Sequence, residues 1–110
     1  MTRATLPNAR SNVTRTVHWD GHEFTVTIGL DPDTWQPAEV FCDTKKGGQM
    51  HVTIADACVW ASIAMQNGVT PAELAKSLGD VPVPGAPKGT TGPASPIGAI
   101  VAAIMAEVRP

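Results

Sequence analysis

Two lysines and two glycines lie at the junction between an apolar segment and a helical pattern, within the run Phe41-Cys42-Asp43-Thr44-Lys45-Lys46-Gly47-Gly48-Gln49-Met50. Glycines allow the backbone to turn sharply, and a helix start carries unpaired N–H groups together with partial positive charge. Ammonium groups beside such a start favour the binding of an anion such as phosphate. The sequence therefore predicts a candidate anion site that consists of Lys45, Lys46, Gly47, Gly48 and Gln49.

The predicted site is too weak to hold a ligand alone. A charge at a helix end contributes about 0.3–1 kcal/mol, whereas micromolar binding requires about 8 kcal/mol. The G-x-x-x-x-G-K-[ST] spacing of a P-loop is also absent, so a plain strand-to-helix turn with solvated lysines is the simpler interpretation. A ligand would need further contacts from a second chain or from residues 90–95, and a stacking surface from Trp19, Trp35 or Trp60, of which Trp19 is more simply a core residue.

Four other polar side chains are candidates for ligand contact. Arg15 falls on the apolar face of a predicted hairpin. A structural salt bridge, or a position at the sheet margin from which its head reaches water, is the favoured interpretation. The alternative is a cation that faces a ligand. Thr90, Thr91 and Ser95 precede the last predicted helix and have hydroxyls suited to phosphate. Turn and N-cap chemistry is the simpler explanation for them, above all for Ser95.

No catalytic residue, metal site or cofactor is predicted. His18 and His22 fall on opposite faces of the predicted hairpin, so they cannot share a metal ion. The two cysteines, Cys42 and Cys58, lie in apolar sequence surroundings typical of buried free thiols. Neither is beside an activating base, so a nucleophilic role is not expected.

Size and charge exclude several classes of protein. A chain of 110 residues that is 43% hydrophobic forms one domain, which we place at residues 12–110 after a flexible arm over residues 1–11. The net charge of −2 argues against binding to long nucleic acids. No apolar run reaches the roughly 18 residues of a membrane span, and the first residues lack the apolar core of a signal peptide. A cytoplasmic protein is expected.

Hydrophobic periodicity predicts an α+β fold, a three-stranded antiparallel meander followed by three helices packed on one face. Asp20-Gly21 is typical of a two-residue hairpin turn, which pairs Trp19 with His22, Val17 with Phe24, Arg15 with Val26 and Val13 with Ile28. Residues 80–94 are rich in proline and glycine and are expected to be irregular. The remaining predictions are strands over residues 12–19, 22–30 and 38–44 and helices over residues 49–67, from Thr70-Pro71-Ala72-Glu73 to near Leu78-Gly79, and from Ser95-Pro96 onward.

Several segments occur in the order typical of a known family: His22–Leu30, Pro37-Ala38-Glu39-Val40-Phe41, the Lys-Lys-Gly-Gly-Gln turn and Ala55–Val69. Over about residues 12–79 the chain resembles the TSCPD domain. That domain forms the C-terminal part of adenosylcobalamin-dependent ribonucleotide reductases and also occurs as small standalone proteins. The resemblance implies a domain from a nucleotide-reducing enzyme, without the enzyme's barrel and radical-forming cysteine.

One departure from the family pattern is informative. The Thr-Ser-Cys-Pro-Asp run that gives the family its name is replaced by Thr91-Gly92-Pro93-Ala94-Ser95-Pro96-Ile97, so no thiol or metal role carries over. In size and element order the chain is also similar to small phage proteins of the Thoeris anti-defence 1 type, which sequester cyclic ADP-ribose-like signals.

Two functions are expected from these observations. The first is a non-catalytic module that binds a nucleotide-type, phosphate-bearing small molecule as a homo-oligomer, including a phage sponge for cyclic ADP-ribose-like or cyclic oligonucleotide signals. The alternative is an accessory or regulatory protein-binding domain of a ribonucleotide reductase system. The apolar first helix and the exposed edges of the sheet favour a partner in either case, and a small enzyme is the least supported reading.

Overall fold

The computed structural model describes residues 11–43 and 48–109. Residues 1–10 of the predicted arm over residues 1–11 and the turn residues Thr44, Lys45, Lys46 and Gly47 lie outside these ranges. The observed elements confirm the α+β prediction and its three-stranded antiparallel sheet. In chain order they are β1 (Asn12–Trp19), β2 (His22–Leu30), β3 (Pro37–Cys42), α1 (Gly48–Gln66), α2 (Pro71–Lys76), β4 (Asp80–Pro82), β5 (Thr91–Pro93) and α3 (Pro96–Met105).

The β1–β2 hairpin has the predicted register. Asp20 and Gly21 have φ angles of 46° and 75°, the left-handed values that a type I′ turn requires at both central positions. All four predicted cross-strand pairs are present, including Arg15 opposite Val26. The turn and the alternation of apolar residues determine this register together, because a slip of one residue would turn every buried side chain toward solvent.

The helices cover one face of the sheet, as predicted. Every second residue of β2 points into the core, and Val26 and Ile28 are fully buried there. Ile100 and Ile104 of α3 pack against them from the helical side. None of the described helices has the length and apolarity needed to span a membrane.

Two side chains of α1 seal the outer edge of β3. The Val40 backbone N–H donates to Ser62 Oγ at 2.9 Å, and Ser62 Oγ in turn lies 3.2 Å from the Val40 carbonyl and 2.8 Å from the Cys58 carbonyl. Gln66 Nε2 donates to the Ala38 carbonyl at 3.1 Å. The expectation of exposed edges on both sides of the sheet is therefore wrong for β3, because α1 occupies the positions that another strand would take.

On the opposite face of the sheet, Glu39 lies across Gly29. The two residues are paired between β3 and β2, and a Cβ atom at position 29 would collide with the Glu39 carboxyl group. The glycine therefore leaves the space that the Glu39 side chain fills. Glu39 is only 6% exposed although it carries a carboxylate.

The prediction that residues 80–94 are irregular holds for residues 83–90 and is wrong for the two short strands on either side of them. β4 and β5 form a separate two-stranded sheet in which Asp80 pairs with Pro93 and Pro82 with Thr91. The prolines concealed these strands, but a two-stranded ribbon has only edge positions, where a missing N–H is tolerated. The Trp19 indole N–H donates to the Pro93 carbonyl at 3.1 Å and ties the ribbon to β1.

We predict that Ser62→Ala lowers the free energy of unfolding by about 1–3 kcal/mol, because the buried Val40 N–H loses its acceptor. Urea denaturation monitored by circular dichroism measures this loss. Thr53→Ala on the exposed side of α1 is the matched control and should change stability by less than about 0.5 kcal/mol. Equal effects of the two substitutions would contradict the role assigned to Ser62.

Candidate functional site

The predicted anion site falls mostly outside the described residues. Lys45, Lys46 and Gly47 lie there, so the structure describes only Gly48 and Gln49 of the five. Gly48 begins α1 with a φ of 87°, a value that glycine adopts without strain. The first turn of α1 contains no acidic residue, so no carboxylate of that turn offsets the partial positive charge of the helix start. The anion site remains a prediction.

Arg15 forms a salt bridge to the end of the chain. Its Nε–H donates to Glu107 Oε1 at 2.7 Å, and its Nη2 contacts the same oxygen. Of the three predicted alternatives, the structure shows the salt bridge. The stem of Arg15 lies on the apolar side of β1, and Glu107 compensates its charge. The contact connects β1 to the segment that follows α3.

The three hydroxyl-bearing candidates lie at the other end of α3. Ser95 is the N-cap of α3 and accepts from the Gly98 N–H at 3.1 Å, as the simpler interpretation predicts. Thr91 belongs to β5, and the Thr90 carbonyl accepts from the Val83 N–H at 3.0 Å in the adjoining loop. The ten residues of α3 extend about 15 Å between these residues and the Arg15 salt bridge. The structure therefore does not bring Arg15 into one site with Thr90, Thr91 and Ser95.

The described residues contain no metal-binding cluster. Across residues 11–43 and 48–109, no group of three or more His, Cys, Asp and Glu side chains is placed to hold a metal ion. His18 instead lies 3.9 Å from the Glu23 carboxylate across the hairpin. His22 stacks near the Phe24 ring.

The two thiols are held in their protonated form. Both cysteines are free, as predicted. Burial, followed by the nearby Asp43 charge, raises the pKa of Cys42. Burial and then the proximity of Cys42 raise the pKa of Cys58 to about 12. Thiolate chemistry at neutral pH is therefore disfavoured at both positions.

The feature that sequence reasoning underestimated is the outward side of α1. Among its 19 residues, Asp56 is the only acidic residue, and there is no lysine or arginine. Ser62 and Gln66 turn toward β3, and large apolar side chains face solvent both beside them, at Val52 and Val59, and on the far side of the helix, at Trp60. We define the α1 surface as Val52, Val59 and Trp60, which are 50%, 54% and 78% exposed, together with Phe41 of β3, which is 54% exposed.

An open apolar groove adjoins the α1 surface. Its volume is about 580 Å³, within the roughly 300–1,000 Å³ typical of ligand sites. Trp60 stands beside it, and Thr53 and Asp56 are its polar lining residues. The rest of the lining is aliphatic: Ala57, Ala61 and Ala64 of α1, Leu74 of α2, Leu78 just after α2, and Ile97 and Val101 of α3.

A second cavity of about 420 Å³ lies where α1 meets β3. It contains all three buried polar or charged residues found among the described residues, Glu39, Ser62 and Gln66. Ser62 and Gln66 are bound to the strand edge, so their role is structural. Phe41 and Val59 also line this cavity, which places it beside the α1 surface.

Comparison with known proteins supports the family suggested by the sequence. The family model described as the TSCPD domain matches residues 2–108. No curated protein and no solved structure matches this chain significantly.

We predict that Cys58 resists alkylation in the native protein. At pH 8, a thiol with a pKa near 12 has a thiolate fraction of roughly 10⁻⁴, against about 0.2 for an unperturbed cysteine. Mass spectrometry after iodoacetamide treatment should show Cys58 unmodified and Cys42 modified more slowly than glutathione. The urea-unfolded chain is the control, and both cysteines should react in it. Rapid modification of native Cys58 would contradict this assignment.

Proposed function

Since the chain belongs to the TSCPD domain family, we propose that it is a non-catalytic module that acts by binding a protein through the α1 surface. The observation that supports this proposal is a 19-residue helix with one acidic residue and no lysine or arginine, whose Trp60 and Val59 face solvent. A helix that is apolar all round is normally buried all round. In this chain only one side of the helix is buried, so a partner would complete its burial.

The size of the α1 surface supports a specific complex. Its four side chains expose roughly 450 Å² of apolar area, if an aromatic side chain contributes about 150–250 Å² when fully exposed. Burial of that area gives on the order of 10 kcal/mol at about 25 cal/mol per Å². Association costs about 4–15 kcal/mol in lost freedom. The free energy gained by burying the apolar surface is therefore similar to the free-energy cost of association. The polar contacts around that surface then determine the affinity.

The nucleotide-type, phosphate-bearing ligand is the second candidate, and the position of Trp60 favours it. A flat indole beside an open groove suits stacking on a base, which contributes about 1–3 kcal/mol. The groove lining contains no cation, so the phosphate would have to be held by Lys45 and Lys46, which precede α1 in the sequence, or by another chain. A phage sponge for cyclic nucleotide signals is the biological role that this candidate implies.

The α1 surface can be tested by fluorescence anisotropy of the labelled full chain, titrated separately with unlabelled chain and with a purified adenosylcobalamin-dependent ribonucleotide reductase. We expect binding in at least one titration. Val59→Lys should weaken it at least tenfold, because it places a charge in the apolar contact. Thr25→Lys on the outer face of the sheet is the matched control and should leave it unchanged. Equal loss in both variants, or no binding in either titration, would contradict the proposal.

Nucleotide binding can be distinguished from protein binding with Val59→Lys and one further variant. Thermal melts with a panel of nucleotides, cyclic dinucleotides and ADP-ribose derivatives would show stabilisation by a true ligand, about 2.7 kcal/mol at a hundredfold excess over Kd. If the ligand reading is correct, Lys45→Ala/Lys46→Ala abolishes that shift, whereas Val59→Lys leaves it in place. Absence of any shift at millimolar concentration would exclude this candidate.

A further inference from the structure

We propose that the protein that covers the α1 surface is a second copy of this chain, in a two-fold dimer in which Trp60 of each copy lies in the apolar groove of the other. This inference rests on the proposed function, because it names the partner of the same surface. It follows from the shape, the area and the charge of that surface.

The shape of the surface is self-complementary. Trp60, at 78%, is the most exposed large apolar side chain among the described residues, and the groove lies directly beside it. Ala57, Ala61 and Ala64 give α1 a low profile along the groove, which leaves room for a bulky side chain. A two-fold interface uses the same patch on both copies, so it needs a protruding group and a matching recess on one patch. The α1 surface and its groove contain both.

The area matches the requirement of a stable dimer. A standard interface buries about 800 Å² per partner, and about 57% of it is apolar, which corresponds to roughly 450 Å². The four side chains of the α1 surface expose an apolar area of about this size. The groove residues and the polar rim would supply the remaining area. A contact through Trp60 alone would be too small, so the whole α1 surface is needed.

The distribution of charge favours a second copy over a charged partner. Asp56 is the only charged side chain in the groove lining, so the surface offers almost nothing that would select a strongly basic or acidic segment. In an antiparallel α1 pair with its axis between residues 59 and 60, Asp56 lies opposite Ile63 of the other copy. The two Asp56 carboxylates are then offset by about 10 Å along the helices, a separation at which physiological salt screens their repulsion.

The dimer can be tested by sedimentation equilibrium of the full chain from low to high micromolar concentration. We expect a concentration-dependent species of twice the 11.5 kDa chain mass. Trp60→Ala should raise the dimer Kd by roughly 30-fold or more, as expected for a central tryptophan. Trp35→Ala is the matched control, because Trp35 is also a large exposed tryptophan at 49% but lies in the β2–β3 loop, and it should leave Kd unchanged.

A second variant addresses the recess. Ala64→Gln adds a longer polar side chain to the groove one helical turn after Trp60, and it should weaken the dimer by a similar factor. Because Trp60 and the groove form one contact, the double variant should raise the dimer Kd by less than the product of the two single effects. Circular dichroism melts of both variants at low concentration, where the monomer predominates, should match the parent chain.

The outcomes distinguish this inference from the proposed function. A chain that stays monomeric at every concentration overturns the dimer, and so does a dimer that Trp60→Ala leaves unchanged. If a monomeric chain still binds the reductase in a manner sensitive to Val59→Lys, the dimer fails and the proposed function stands. If no association of either kind depends on the α1 surface, both fail.

Discussion

The hydrogen bonds between α1 and the edge of β3 determine how this small domain faces its surroundings. Ser62 satisfies the N–H of Val40 and lies against its carbonyl, and Gln66 satisfies the Ala38 carbonyl. These bonds prevent a further strand from pairing with β3 and fix the rotation of α1 about its own axis. With Ser62 and Gln66 turned toward the strand, Trp60 points away from it, and Val59 lies beside Ser62 at the solvent-exposed rim of the α1–β3 junction. The exposed apolar surface thus follows from the sealing of the sheet.

Local signals were sufficient to predict most of the fold. Asp20-Gly21 predicted the hairpin and its register, and Ser95 predicted the start of α3, because in each case neighbouring residues determine the backbone conformation. The β4–β5 ribbon was missed because its prolines are ordinary signals of irregular chain. The sealed edge and the fit of Glu39 over Gly29 could not be predicted, because each depends on residues that only the tertiary fold brings together.

The candidate site was predicted less well than the fold. The salt bridge of Arg15 and the N-cap role of Ser95 were among the predicted alternatives, but the sequence could not show that the two residues lie at opposite ends of α3. The apolar character of α1 was visible in the sequence, where it favoured a partner. Which side of the helix remained uncovered depended on Ser62 and Gln66, whose partners are backbone groups and leave no mark in the hydrophobic pattern.

Hydrogen–deuterium exchange of the intact chain, compared between dilute and concentrated solutions by mass spectrometry, shows whether α1 is uncovered in the monomer and covered on association. If α1 turns an uncovered apolar side to solvent and associates through it, peptides from α1 should exchange more slowly in the concentrated sample. Peptides from the β1–β2 hairpin should exchange equally in both samples. Exchange in α1 that is independent of concentration, or added protection confined to β1, would contradict the account.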